Sequence, residues 1–276
     1  MAADGADLLM RGWLAGAAVL TFLLAGCGSS HKNTTTSSSP KPVSASLVAD
    51  AAAKSTKPGS VEADFKIVGP SVAGSGSGVF DTGADRSGQL SMKVNLQGSQ
   101  VPVDSIIAGN LLYLRSSAFQ QLGLSGDKAW VKLDLGQLAK QRGIDLSSFA
   151  AASPTPASAL SYLRGTSNVR EVGTEKVNGV DTTHYKATVD LARAAARSTG
   201  STRQALRRVI QANGSRKLPI EVWVDGKGFI RKLRYAQRSG GNAVRLTMNL
   251  HDYGPPVEIK PPPADSVVDL QKVLGQ

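Results

Sequence analysis

Apolar and polar residues alternate with a period of two through most of the chain beyond residue 60, the pattern of strands with one buried face. Val61, Ala63, Phe65 and Ile67 alternate with Glu62, Asp64 and Lys66, predicting a first strand. Further strands are predicted at 76–81, 89–97, 100–108, 111–115 and 128–134, separated by Gly-, Asn- and Ser-containing turns. A second series falls at 168–176, 180–189, 220–225, 229–237 and 243–253, the first two joined by Asn178-Gly179, whose residues both accept positive φ. Helical spacing appears elsewhere: Leu47, Val48, Ala51 and Ala52 precede the stop Lys57-Pro58-Gly59, and Ala159, Leu160 and Leu163 follow Ser153-Pro154-Thr155-Pro156. Residues 190–212 read as one or two helices broken at Gly200 and stopped by Asn213-Gly214, with Leu206, Val209 and Ile210 as the apolar stripe. After Pro261-Pro262-Pro263, Val267, Leu270 and Leu274 predict a terminal helix. About eleven strands and about five helices make an α+β domain built on an antiparallel meander.

The N-terminus has a different character. Trp13 to Ala25 is an uncharged apolar run preceded by Arg11, long enough for the core of a secretory signal but short of the roughly 20 residues that span a bilayer. It ends in Leu24-Ala25-Gly26-Cys27, which resembles a bacterial lipobox: the cysteine thiol takes a diacylglycerol and the peptide bond before it is cut. Asp4 and Asp7 are out of place in a region that is ordinarily positive, and a start at Met10 in place of Met1 gives a better signal. Residues 28–42 are polar and rich in Ser, Thr and Pro, with no apolar surface to offset the entropy of ordering. The expected organisation is a signal over 1–26, a lipidated Cys27 with a flexible tether over 27–44, and a single domain over 45–276.

Composition narrows the chemistry. Cys27 is the only cysteine, so an internal disulfide, a thiolate zinc site and an iron–sulfur cluster are excluded. The net charge of +11 invites nucleic acid as a partner, but 13 Lys and Arg against Glu221 and Asp225 fall between residues 191 and 245. This segment has only Trp223, Phe229 and Tyr235 for stacking, and an exported protein seldom meets nucleic acid, so no nucleic-acid partner is expected. Arg203, Arg207, Arg208, Arg216 and Lys217 form either a patch for anionic lipid headgroups or a merely solvated face.

Catalytic motifs are scarce. His184 and His251 sit among polar strand residues without metal-ligand spacing, and no catalytic residue, cofactor or metal is expected. Gly74-Ser75-Gly76-Ser77-Gly78 matches neither G-x-S-x-G nor G-x-G-x-x-G and leads into a strand, so a flexible hairpin turn or a kink in the sheet is expected there.

The order of these features resembles the actinobacterial lipoproteins of the LppX/LprG type. Lipobox, tether and short helix are followed by Leu111-Leu112-Tyr113, Ala129-Trp130-Val131, Val177 through Tyr185, Pro219 through Asp225, and Asp252 through Ile259. The resemblance spans nearly all of residues 45–263 and implies a LolA-like fold, a single strongly curved half-barrel sheet with helices on its concave side around a cavity for acyl chains. It implies a carrier, not an enzyme, held on the extracytoplasmic face of the cell membrane. Its ligand is a membrane lipid or glycolipid, and a membrane transporter is a further candidate partner. Taking the apolar register as inward, the wall candidates are Phe65, Ile67, Val94, Leu96, Leu112, Leu114, Val222, Val224, Leu246, Met248 and Leu250. The same periodicity also serves plain core, so a surface lipoprotein with a filled interior stands as the alternative, and a hydrolase with an unrecognised site as a third.

Overall fold

The computed structural model describes residues 40–274 apart from 71–72, 83–86, 97, 136, 138–154, 199 and 240–241. Cys27, the expected signal and most of the expected tether lie outside the described residues, and Ser38–Gln276 forms one compact unit.

Thirteen strands make one open, curved sheet. In chain order they are β1 (Lys41–Pro42), β2 (Ser60–Val68), β3 (Ala73–Asp81), β4 (Gly88–Leu96), β5 (Ser99–Ala108), β6 (Leu111–Arg115), β7 (Trp130–Asp134), β8 (Thr166–Val177), β9 (Val180–Asp190), β10 (Lys217–Asp225), β11 (Ile230–Ser239), β12 (Asn242–Gly254) and β13 (Val267–Asp269). The helices are α1 (Ala45–Ser55), α2 (Ser117–Gln121), α3 (Pro156–Tyr162), α4 (Leu191–Ala196), α5 (Gly200–Asn213) and α6 (Leu270–Leu274).

The eleven expected strands correspond to β2 through β12. The two additional strands are the edges, two and three residues long, too short for periodicity to reveal. Short edges, one carrying Pro42, leave few unpaired backbone groups to invite another chain. The single meander is corrected as well. Spatial order is β1-β8-β9-β10-β11-β12-β2-β3-β4-β5-β6-β7-β13, so two meanders join where β12 pairs antiparallel with β2. Val267–Asp269, expected to open the terminal helix, instead pairs parallel with β7, and the helix is only Leu270–Leu274.

Local chemistry explains the elements. Ser44 caps α1 by accepting from the Ser46 amide at 3.3 Å. At its other end Ser55 Oγ donates to the Ala51 carbonyl and accepts the Ile230 amide at 2.9 Å, tying the helix to β11. Thr155 caps α3 with Pro156 in its first turn. Asp190 caps α4 through the Arg193 amide at 3.0 Å. Asn178 and Gly179 take φ of 48° and 80° in the β8–β9 turn, as the dipeptide predicts.

The glycine-rich segment is no turn. Gly74, Gly76 and Gly78 lie within β3, paired with β2 on one side and β4 on the other. The absent side chains let the strands approach closely and leave room for the Phe80 ring, which lies against Gly78 and Gly88.

One core cluster unites α1, α3, α4 and α5 with one face of the sheet: Val48, Ala52, Leu160, Leu191 and Leu206 meet Val222, Leu233, Met248 and Leu250. The small residues of the Ala-rich helices allow this close approach. A lesser cluster on the opposite face joins Ile106, Tyr113 and Trp130 with Ile259 from the proline-rich segment.

Candidate functional site

Paired residues in a sheet point to the same side, so register carries one face across the molecule. From β9 to β2 it runs Tyr185, Val222, Leu233, Met248, Phe65, and from β3 onward Gly76, Met92 and Val103. Leu112 and Leu114 join through Ile107 and Ser105, and Leu133 and Val131 through β7. All eleven wall candidates occupy register positions on this face.

Their surroundings differ. Phe65, Ile67, Val222, Val224, Leu246, Met248 and Leu250 are buried in the main core cluster with the helices. Leu112 is also buried, whereas Val94 and Leu114 are half-buried, and the side chain of Leu96 lies outside the described residues. Around Val94 and Leu114, the same face carries Met92, Val101, Val103 and Leu133, all half-buried. Val94 pairs with Val101 and Met92 with Val103, so these side chains form a contiguous apolar strip. Strand alternation alone marks Val101, Val103 and Leu133 as apolar positions, but only the pairing places them beside Val94.

Two buried tyrosines sit at the helix-covered end. Burial pushes the Tyr162 hydroxyl up to about 12 and holds that of Tyr235 well above its ordinary value, and the rings meet edge to face at 6.1 Å. Both therefore remain neutral hydrogen-bonding groups at physiological pH.

The basic candidates are scattered over two elements. Arg203 and Arg207 are exposed on α5, with Arg203 Nε donating to the Ser198 carbonyl at 2.8 Å, while the Arg208 side chain lies outside the described residues. Arg216 and Lys217 are exposed where β10 begins.

On the opposite face of the sheet, β9, β10 and β11 assemble a polar network unannounced by any motif. His184 stacks on Trp223 with centroids 4.1 Å apart and planes 6° from parallel. Its Nε2 lies 3.0 Å from Glu221 Oε2, and Arg234 donates to both oxygens of that carboxylate, at 2.6 and 3.2 Å. Trp223 Nε1 donates to Glu175 Oε1, and Lys232 Nζ lies 4.4 Å from the centroid of its ring. Burial lowers the His184 pKa despite Glu221 and Glu175, so the ring is neutral at pH 7. For Glu221 burial acts upward, but the hydrogen bonds and charge of Arg234 outweigh it and hold the carboxyl below its ordinary value. A neutral histidine beside an ion-paired carboxylate on a packed indole ties β9, β10 and β11 together on this face.

His251 lies among carboxylates, Nδ1 2.7 Å from Asp252 and Nε2 3.3 Å from Asp64. Glu62, His251 and Asp252 bring ligand-type atoms within 4.8 Å of one another, but both ring nitrogens are already engaged by these carboxylates.

Fold and apolar face together define an α+β protein of one open sheet whose covered face is only partly filled by its helices among the described residues. No protein-family model matches the chain. It is 27% identical over 157 residues to a 31.2 kDa protein from Streptomyces griseus encoded in the rplA–rplJ intergenic region and described as uncharacterized. That match takes in 55% of this chain and about half (52%) of the relative's length. Among solved structures, the chain is similar to LprF from Mycobacterium bovis, with a TM-score of 0.49 and 13% identity over 79% of this chain and 96% of that one. It is similar also to the Mycobacterium tuberculosis lipoprotein LppX, with a TM-score of 0.47 and 15% identity over 79% of this chain and all (100%) of that one. The LppX/LprG resemblance read from the sequence thus finds LppX among the structures similar to this chain.

Proposed function

We propose that the protein is a lipid-anchored carrier that takes the acyl chains of a lipid or glycolipid against the apolar face of its sheet. The observation that supports this reading is the uneven cover of that face. The core beneath the helices buries the part formed by β8 to β12 and β2, with Met92 packed at its boundary, whereas Val94, Val101, Val103, Leu114 and Leu133 on β4 to β7 are only half-buried among the described residues. Burying such a strip against hydrocarbon is favourable by roughly 25 cal/mol per Å² removed from water, which draws in a ligand without directional bonds. Of the wall candidates, Val94 and Leu114 would then touch ligand, and the seven in the main core cluster would hold the sheet's shape.

Cys27 is the anchor in this reading, the tether to residue 44 gives the single domain over 45–276 its reach, and the site of action is the cell envelope. Arg203, Arg207, Arg208, Arg216 and Lys217 would favour an anionic leaflet by roughly 1 kcal/mol each when near it. No catalytic group is required. The test is organic extraction of the Cys27→Ser protein followed by mass spectrometry, with uptake of a fluorescent fatty acyl probe measured alongside. Co-purifying acyl species and saturable uptake are expected. A lipid-free protein that also refuses the probe overturns the proposal and leaves a filled-core surface lipoprotein.

A further inference from the structure

The outer face of the sheet holds a pocket that the acyl-chain reading does not use. Register aligns Lys186 on β9, Glu221 on β10 and Arg234 on β11 in one row across the strands. Two residues further along each strand stand Pro219 on β10 and Ala236 on β11, the latter paired with Arg245 on β12. Pro219 and Ala236 are short, so they form the floor of a depression whose rim is made by the long side chains around them. The result is a pocket of about 320 Å³ lined by Lys186, Pro219, Glu221, Arg234, Ala236 and Arg245, with neighbouring backbone.

Its charge is unbalanced. Glu221 has both oxygens occupied by Arg234, and the His184 ring closes on one of them at 3.0 Å, so the lone acid of the pocket is spent within the row. Lys186 and Arg245 are exposed and form no close ion pair among the described residues, although the charge of Lys186 acts on Glu221 beside it. Their backbones are three strand spacings apart across the sheet and two residues apart along it, roughly 16 Å, a gap that two long side chains reaching inward narrow. An ammonium and a guanidinium are donors only, and the one carboxylate of the pocket is already engaged by Arg234 and His184, so the free groups favour an acceptor-rich ligand over a cation. Two unpaired cations over an apolar floor suit a compact anion with several oxygen acceptors.

We propose that this outer-face pocket binds a phosphate group between Lys186 and Arg245, with the Glu221-locked Arg234 as its fixed wall. The phosphate is carried either free in solution or on a phospholipid headgroup, and the site stands apart from the acyl-chain reading.

The Cys27→Ser protein is titrated with inorganic phosphate by calorimetry, and in parallel mixed with vesicles of phosphatidylcholine with and without phosphatidylglycerol in a sedimentation assay. Saturable binding is expected, weakened roughly tenfold or more by K186Q/R245Q. The control K57Q/R164Q removes the same charge from exposed positions away from the pocket and is expected to leave binding unchanged. Saturation by inorganic phosphate assigns a free anion. Saturation only by phosphatidylglycerol vesicles, lost in K186Q/R245Q, assigns a headgroup. Absence of saturable binding to both probes, or equal weakening by the two double variants, overturns the proposal, the second outcome because general basicity then accounts for the attraction.

Discussion

Gly76→Ala sets two physical expectations against each other. Glycine within a strand is disfavoured relative to alanine by about 0.5–1 kcal/mol, so propensity by itself predicts a more stable protein. The structure predicts the reverse. Gly76 lies on the covered face of β3 between Phe65 on β2 and Met92 on β4. A Cβ built there falls 2.2 Å from the Ser91 carbonyl oxygen and 2.8 Å from Met92 Cα. Those atoms are backbone, so no rotamer change relieves the clash and β3 must move away from β4. Overpacking of this kind costs about 1–3 kcal/mol, and more where the strand ladder itself is displaced. After the propensity gain, a net loss of up to about 2.5 kcal/mol remains. With a urea m-value of about 3 kcal/mol/M for a domain of this size, the unfolding midpoint falls by up to about 0.8 M. Gly226→Ala is the control, since no heavy atom lies within 4 Å of its built Cβ, and its midpoint is expected to hold or rise slightly. A Gly76→Ala midpoint at or above that of the parent refutes the argument that close strand approach requires the glycine run.

Asp225 accepts from the Lys227 and Phe229 amides at 2.9 Å each and from Arg231 Nε at 2.7 Å, so Asp225→Ala strands three donors. A loss of about 3–5 kcal/mol is expected, read as a melting temperature lower by roughly 6–20 °C. The two strand histidines act on stability with opposite signs. Burial draws the His251 pKa down, but the Asp252 hydrogen bond and the charges of Asp64, Asp252 and Glu62 outweigh it and leave it raised above 6.5. Its contribution is full below pH 6.5 and lost as pH rises through the folded value, whereas that of His184, lowered by burial, is present above 6.5 and lost as pH falls. In chemical denaturation across pH, His251→Gln should therefore flatten the decline on the alkaline side and His184→Gln that on the acid side, and an interchange of the two effects would contradict the assignment. Val94→Asp and Leu114→Asp place a charge on half-buried positions, and fatty acyl probe uptake should drop roughly tenfold while circular dichroism is retained. Unchanged uptake in both moves the ligand off this strip.

Most of the secondary structure was legible from local pattern. Eleven strands, the helix at 45–55, the two helices within 190–213 and the Asn178-Gly179 hairpin all announce themselves within a window of a dozen residues, because side-chain period and turn chemistry are local properties, although Gly200 opens the second helix where a break was expected. The glycine run misleads for the same reason. Glycine marks turns when only neighbours in sequence are considered, yet Gly74, Gly76 and Gly78 answer to backbone on β4, contributed by residues 89–93. Likewise, Val267–Asp269 has a helical spacing with Leu270 and Leu274, and becomes a strand because β7 presents an open edge. The wall candidates were legible as a class and not as individuals: Met248 and Val94 share one face and one alternation, but one lies beneath helices and the other is half-buried.

By itself the sequence determined that this chain makes a large sheet with one apolar face, a few small-residue helices, no disulfide framework and a basic stretch confined to residues 191–245. Each of these follows from composition or from spacing within a few residues. Tertiary structure alone decided that the second meander precedes the first through the β12–β2 pair, which part of the apolar face the helices cover, and that Lys186, Arg234 and Arg245 line one pocket. Alternation tells a strand which side to bury but is the same in every strand. It cannot choose partners: pairing across nearly 200 residues sets β12 beside β2, and the successive pairings of β9 to β12 bring Lys186, Arg234 and Arg245 together.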